Sequence, residues 1–189
     1  MNNSFKADTL ERAWLKALRT VISSGELIQD KEPFIEIQNL QIAYNNAFEI
    51  QTPHYTRTFG VEFADYIHRV YSPLGDQKSG RNYHTLIHEH EGVDQVAEVV
   101  RKLKEDPLTR SATIVLADAK IPKQPCVTEI NFSIRHNLLH MTAVFKSSDL
   151  TKKFIPDMIE LSRIHEQMSR ALEIARGGIV AHLLSAQIY

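Results

Sequence analysis

The sequence is poor in the residues that mark several common classes of protein. Its 189 residues include one cysteine, Cys126, and one tryptophan, Trp14. A single cysteine excludes an internal disulfide. The sequence has neither an apolar run long enough to cross a bilayer nor a basic and apolar leader, so we expect a cytoplasmic location without membrane contact.

Charge of one sign is not in excess either. Lysine and arginine number 22 against 23 for aspartate and glutamate, which leaves a formal net charge of -1. Proteins that bind nucleic acid polymers normally carry a broad positive surface, because binding releases counterions from the phosphates. The composition therefore favours a nucleotide monomer over a polymer as a ligand.

The chain does contain enough apolar residues, 43% of the total, for one substantial core. Hydrophobic periodicity predicts helices over 8–24, 94–105 and 158–176, with Asp8 capping the first, and strands over 34–44 and 179–189. We therefore predict a single α+β domain spanning residues 1–189. It would have one main mixed or antiparallel sheet packed with helices.

A predicted hairpin surrounds the cysteine. Residues 127–134 and 139–145 alternate between apolar and polar side chains, with Thr128 and Phe132 expected on one face and Val127 on the other. Between them, His136 and Asn137 suit a tight turn, because asparagine tolerates the left-handed backbone that such turns need. This register places Cys126 opposite Lys146 or Ser147, at a backbone distance of about 5 Å.

That pairing gives the cysteine a candidate chemistry. A thiol ordinarily has a pKa near 8.5, and a neighbouring cation lowers the pKa because it favours the thiolate, the form that attacks carbon. Lys146 would supply the positive charge. The alternative is that Cys126 is a small buried side chain with no chemical role.

Several motifs resemble one enzyme superfamily. Pro125-Cys126 opens a strand, and Lys146-Ser147-Ser148-Asp149 follows some twenty residues later, before an apolar helix. Upstream stands Asp106-Pro107-Leu108-Thr109-Arg110, and the chain ends Gln187-Ile188-Tyr189. Together these segments resemble the thymidylate synthase and deoxycytidylate hydroxymethylase superfamily.

The resemblance implies a reaction and its participants. Cys126 would add to carbon 6 of a pyrimidine nucleoside monophosphate, and carbon 5 would then take a methyl or hydroxymethyl group from 5,10-methylenetetrahydrofolate. No metal is implied. The chain would form a homodimer, with Arg110 reaching the phosphate bound by the other subunit. The remaining substrate-binding candidates are Lys146 and Ser147 at the phosphate, Gln187 and Tyr189 near the sugar, and Ser111 and Asp149 within the matching motifs.

One departure from the family bears on the base. Asp157 stands where the family usually has an asparagine that reads uracil, and the resembling hydroxymethylases have an aspartate there. A carboxylate accepts hydrogen bonds, which suits the amino group of cytosine, so cytidylate is slightly favoured over uridylate. The alternative is that Asp157 only caps the helix that follows.

The reaction also needs an acid that moves protons around the base. Glu62 is the candidate, in a run with helical spacing, although a solvated surface glutamate explains it as well. Tyr83, in a Gly-x-x-Tyr pattern, is a further catalytic candidate. These two complete the predicted catalytic set with Cys126.

Two rival functions remain open. Lys146 and Ser111 both stand where the family has arginine, and a segment beyond Tyr189 is missing, which favours a catalytically silent subunit that binds a nucleotide or a partner. Alternatively, His84, His88 and His90, with Glu89, could bind zinc in a hydrolase.

Overall fold

The computed structural model describes residues 3–46, 53–76 and 82–189, and for residues 46 and 53–61 only the backbone. The described residues form five helices and eight strands. The helices are α1 (Leu10–Ser24), α2 (Pro53–Tyr71), α3 (Tyr83–His88), α4 (Gln95–Glu105) and α5 (Phe154–Leu172). The strands are β1 (Ser4–Thr9), β2 (Glu26–Ile28), β3 (Phe34–Asn46), β4 (Thr113–Val115), β5 (Val127–Arg135), β6 (Leu138–Phe145), β7 (Ser148–Asp149) and β8 (Ala175–Ile188).

All the strands belong to one mixed sheet. Its main order is β1-β3-β8-β6-β5-β4, with β2 beside β3 and β7 beside β8. The β1/β3, β6/β8 and β7/β8 pairs are parallel, and the other pairs are antiparallel. This arrangement confirms the predicted α+β class with one main mixed sheet. No helix among the described residues combines the length and apolar character needed to cross a lipid bilayer.

The core lies between the sheet and helices α1, α4 and α5. Its largest fully buried side chains include Tyr44, Phe132, Phe145 and Phe154. The indole Nε1 of Trp14 donates to the carbonyl oxygen of Leu150 at 2.6 Å, which ties α1 to the turn before α5. The turn that carries the second half of the candidate site is therefore anchored to the core.

The hairpin around the cysteine forms as predicted, with one correction. His136 and Asn137 take φ of 51° and 58°, the left-handed values of a two-residue hairpin turn. The backbone N of Lys146 donates to the carbonyl oxygen of Cys126 at 2.9 Å, which confirms the predicted pairing. A bulge between Val127 and Glu129 shifts the register, so Val127 is buried together with Phe132 rather than on the opposite face.

Several predicted boundaries are wrong for local reasons. Thr9, not Asp8, caps α1, since the Thr9 hydroxyl accepts from the backbone N of Arg12 at 3.2 Å. Helix α5 begins at Phe154, four residues before the prediction, because the first turn of a helix tolerates proline. It ends at Leu172, where Glu173 adopts the left-handed conformation.

Strand β8 also starts earlier than predicted, at Ala175. The glycine pair before residue 179 predicts a break, but both glycines lie inside the strand. A Cβ on Gly177 would lie 2.6 Å from the His140 ring on β6, so glycine allows that ring to pack against the backbone of β8.

Candidate active site

A cavity of about 500 Å³ opens at one end of the sheet. It lies between α2, the segment before β5, the turn after β6, the start of α5 and the end of β8. Among the predicted site residues, those that line this cavity are Tyr83, Cys126, Lys146, Ser147, Asp149, Gln187 and Tyr189. Residues from several helices, strands and turns thus meet at the cavity that contains the single thiol.

The thiol of Cys126 is half-buried, and its pKa is raised. Burial is the largest cause, followed by the charge of Asp157. Lys153, Lys146 and a hydrogen bond from Ser147 act in the opposite direction without prevailing. The expected lowering of the thiol pKa is therefore wrong for the free protein, because loss of hydration outweighs the two ammonium groups.

The cavity carries more positive charge than the motifs predict. Arg69, Lys123 and Lys153 line it together with Lys146. Lys123 stands three residues before Cys126, and Lys153 belongs to a Lys-Lys pair shortly after Asp149, so their closeness in sequence to the motifs could have identified both. Arg69 had no such signal, since it reaches the cavity only through the packing of α2.

Asp157 is 0% exposed and lies behind the cavity lining. Its Oδ1 accepts hydrogen bonds from the phenols of Tyr66 at 2.7 Å and Tyr71 at 2.8 Å, both on α2. Its Oδ2 has no hydrogen-bond partner within the described part of the chain. Burial raises the pKa of Asp157 from 3.8 to about 7, although both phenol hydrogen bonds lower it. The helix-cap alternative is wrong, because Lys153 occupies the N-cap position of α5.

Tyr83 fixes the backbone beside the thiol. Its phenol oxygen accepts from the backbone N of Val127 at 3.0 Å, and its ring packs edge-on against Tyr71 with centroids 4.7 Å apart. Burial raises the pKa of Tyr83 well above 10, with the charges of Asp157 and Cys126 adding to the effect. Tyr83 is therefore a neutral donor and acceptor at the base of the cavity.

Two lining residues also have structural contacts. Asp149 Oδ1 accepts from the backbone N of Thr151 at 2.9 Å and from the Thr151 hydroxyl at 2.6 Å, which shapes the turn into α5. The Tyr189 hydroxyl donates to Gln187 Oε1 at 3.1 Å. Tyr189 remains 52% exposed, so it forms part of the mouth rather than the base of the cavity.

Other predicted residues lie outside the cavity lining. Glu62 is exposed on α2, one turn before Tyr66. Arg110 and Ser111 are exposed in the segment between α4 and β4. Sequence reasoning missed Tyr66, whose role depends on the contact between α2 and α5 and leaves no local motif.

The histidine cluster forms pairs rather than a metal cage. The rings of His84 and His88 lie with centroids 4.9 Å apart. His84 Nε2 lies 3.9 Å from Glu89 Oε1, and His88 Nδ1 lies 3.3 Å from Asp94 Oδ2. Across 3–46, 53–76 and 82–189, no group of three His, Cys, Asp or Glu side chains has an arrangement that could hold a metal ion. The hydrolase alternative therefore has no geometric support.

Comparison with known proteins agrees with this geometry. The sequence profile of the family described as thymidylate synthase matches residues 14–189. The chain is 27% identical over 191 residues to a protein of Methanococcoides burtonii described as "Putative thymidylate synthase", covering 97% of this chain and 88% of that protein. Proteins with the same description from Methanosarcina barkeri and Methanothermobacter marburgensis are 27% and 25% identical, covering 97% and 100% of this chain and 88% and 94% of theirs.

Proposed function

The chain belongs to the thymidylate synthase family, and we propose that it transfers a one-carbon group to carbon 5 of a pyrimidine nucleoside monophosphate through covalent addition of Cys126 to the base. The family as a whole implies carbon-5 methyl transfer. The observation that supports the proposal is the position of Cys126, in a cavity lined by four cationic side chains and by residues from three of the four motif segments.

The cationic side chains suit a phosphate monoester. Lys146 and Ser147 line the cavity next to Cys126, and Lys153, Arg69 and Lys123 complete the positive rim. A dianionic phosphate seated there would be held by charge-assisted hydrogen bonds, which are roughly twice as strong as neutral ones. We propose that Lys153 provides part of the phosphate binding that an arginine at position 146 would otherwise provide. Gln187 and Tyr189, which also belong to the lining, would then face the sugar.

The carboxyl group behind the cavity supports a preference for cytidylate. Tyr66 lines the cavity and donates its only proton to Asp157, so toward a ligand its oxygen could act only as a hydrogen-bond acceptor. The amino group on carbon 4 of cytosine is a donor, whereas uracil has an acceptor at the same carbon. We therefore propose that Asp157 sets the preference through Tyr66 rather than by touching the base itself.

The one-carbon donor that we propose is 5,10-methylenetetrahydrofolate, which the family normally uses. Val70 and Pro125 are the only aliphatic residues in the described lining, and Tyr66, Tyr83 and Tyr189 are its aromatic ones. What the chain's own residues supply is the nucleophile, the phosphate contacts and the groups that hold protons near the base.

A homodimer is also part of the proposal. Arg110 is exposed and lies outside its own chain's described cavity lining, so it is available to the phosphate site of another subunit. A closed two-fold dimer would place two such arginines symmetrically.

Release of tritium from carbon 5 of labelled cytidylate tests the proposed chemistry. Exchange requires addition of a nucleophile to carbon 6 but does not require completed transfer, so the donor can be left out. We expect exchange in the parent protein and none in Cys126→Ser, with cytidylate still stabilising that variant against heat. Exchange that survives in Cys126→Ser would refute the role of the thiol.

The raised pKa of Cys126 supports a second candidate, a catalytically silent subunit that binds a nucleotide. This candidate expects a cytidylate-induced rise in melting temperature in the parent protein together with no tritium release at any pH. The same two measurements therefore separate the enzyme from the binding subunit.

A further inference from the structure

We propose that Tyr66 and Asp157 form a proton relay that connects the buried carboxyl group to the ligand cavity, an inference that rests on the proposed function. The acid expected from the sequence, Glu62, is exposed and absent from the described lining. Tyr66 lies one helical turn further along α2 and does line the cavity.

The two phenols that bind Asp157 differ in their position relative to the cavity. Tyr66 and Tyr71 donate to the same carboxylate oxygen at nearly equal distances, 2.7 and 2.8 Å. Of the two phenols, only Tyr66 belongs to the described lining of the cavity. Asp157 itself is 0% exposed and keeps one oxygen without a hydrogen-bond partner in the described structure. A proton on Asp157 therefore reaches the ligand through Tyr66.

Charged and titratable groups face Asp157 from several elements of the fold. Tyr66 and Tyr71 face it from α2, Tyr83 from α3, and Cys126 from the start of β5. Lys153, at the start of α5, and Glu160, within it, act on it with opposite sign.

The two members of the relay differ in how readily they ionise. Burial raises the pKa of Asp157 to about 7, so both of its protonation states are populated near neutral pH. Burial and Asp157 raise the pKa of Tyr66 far above 10, so the phenol passes protons without becoming a phenolate.

The relay acts on the base in both directions. When Asp157 binds a proton, its hydrogen bond with Tyr66 reverses, and the phenol donates into the cavity. The Cys126 thiol first releases its proton to solvent. As the resulting thiolate bonds to carbon 6, the ring electrons move to N3, which takes the phenol proton, while Tyr66 takes the proton of Asp157. Carbon 5 then exchanges its hydrogen with solvent. When the carbon–sulfur bond breaks, N3 returns its proton through Tyr66 to Asp157, so no proton is gained or lost overall.

Paired conservative variants test the relay in the tritium-release assay. Tyr66→Phe removes the phenol that joins Asp157 to the cavity, and Tyr71→Phe removes the equivalent bond on the same oxygen without touching the described lining. For Tyr66→Phe we expect the turnover rate for exchange to fall about 100-fold or more, the usual range for general acid–base catalysis. Its KM for cytidylate should change less than about threefold, and Tyr71→Phe should keep its rate within about fivefold of the parent.

The pH profile is the readout that a merely structural role would not move. In the parent and in Tyr71→Phe, the turnover rate should rise with pH up to about 7 and then level off, since the reactive pair of thiolate and neutral Asp157 holds one proton. In Tyr66→Phe the residual rate should not level off near 7, because Asp157 no longer reaches the base. Cytidylate-induced thermal stabilisation and circular dichroism check that each variant is folded.

Each outcome decides the inference. Equal losses in the two phenylalanine variants would mean that the phenols only hold the carboxylate in place, and an unchanged rate in Tyr66→Phe would remove Tyr66 from the reaction. Either result overturns the relay but leaves covalent addition by Cys126 intact. Absence of exchange in the parent protein would overturn the proposed function and the relay with it.

Discussion

Replacing Asp157 by asparagine should change how the stability of the protein depends on pH. The carboxyl group is fully buried, and its pKa rises from an ordinary 3.8 to about 7 on folding. Asparagine has nearly the same shape, can form hydrogen bonds with Tyr66 and Tyr71 through its amide, and does not titrate. The difference in unfolding free energy between variant and parent therefore isolates the titration of this one group.

The sign follows from which state holds the proton. Below pH 3.8 Asp157 is protonated in both the folded and the unfolded chain. Between that value and about 7 the folded chain keeps a proton that the unfolded chain has lost, so the parent loses stability as pH rises. About three pH units at 1.36 kcal/mol each give a total of about 4 kcal/mol. Relative to the parent, Asp157→Asn should therefore gain about 4 kcal/mol between pH 4 and pH 8.

Urea unfolding at several pH values measures this gain. Trp14 is the only tryptophan, and its hydrogen bond to Leu150 connects α1 to the turn before α5, so its fluorescence reports the loss of that packing. With a slope of about 2 kcal/mol per molar urea, the relative midpoint should move by about 2 M. Glu62→Gln, the same acid-to-amide change at an exposed position on α2, controls for the loss of one carboxylate.

A difference between Asp157→Asn and the parent that stays constant from pH 4 to pH 8 would refute the reasoning. It would mean that the buried carboxyl group ionises equally readily in both states of the chain. The relay would then lack a proton to pass near neutral pH, even if Tyr66 contacts the base.

Three further predictions concern the ligand. Lys153→Gln should weaken cytidylate binding about tenfold in calorimetry, as expected for the loss of one charge-assisted contact. Lys104→Gln, on the exposed face of α4, should leave the affinity unchanged. Equal affinities for the two variants would remove Lys153 from the phosphate site. The variants Cys126→Ser and Arg110→Gln can be mixed, dissociated and allowed to reassociate. If each site is shared between two subunits, the mixture should recover about a quarter of the parent exchange activity, because half of the dimers are then mixed and each mixed dimer has one intact site. No recovery would argue against sharing. Asp157→Asn should reverse the preference from cytidylate to uridylate in thermal-shift titrations. The amide of asparagine can donate to Tyr66, and the phenol can then donate to the oxygen on carbon 4 of uracil. An unchanged ranking of the two nucleotides would contradict the role assigned to Asp157.

The parts of the site that sequence could predict are those held together by local pairing. The turn at His136 and Asn137 determines the register of β5 and β6, and that register brings Lys146 and Ser147 to the level of Cys126. The bulge between Val127 and Glu129 then shifts the pairing by one residue, so that Lys146 bonds to Cys126. A period of two and a turn that favours left-handed residues are properties of a short segment, so they can be read without knowledge of the rest of the fold.

The parts that sequence missed depend on contacts between distant elements. Tyr66 reaches Asp157 across 91 residues, through packing of α2 against α5 that no local pattern specifies. The spacing around Glu62 and Tyr66 fits a helix equally well for both residues, and only the tertiary contact decides which of them faces the cavity. The direction of the thiol pKa was missed for a related reason, because burial is a property of the whole fold.

The raised pKa of Cys126 and the raised pKa of Asp157 have the same largest cause, burial. The charge of Asp157 is the second cause of the rise at Cys126, and it disappears when Asp157 is protonated. A thiolate beside a neutral carboxyl group carries the same total charge as a thiol beside a carboxylate, so the pair can exchange these forms at constant pH. The first form has both the nucleophile and the acid that the proposed addition needs. Burial works against the thiolate but also keeps a proton on Asp157, while Lys153 and Lys146 favour the charged sulfur.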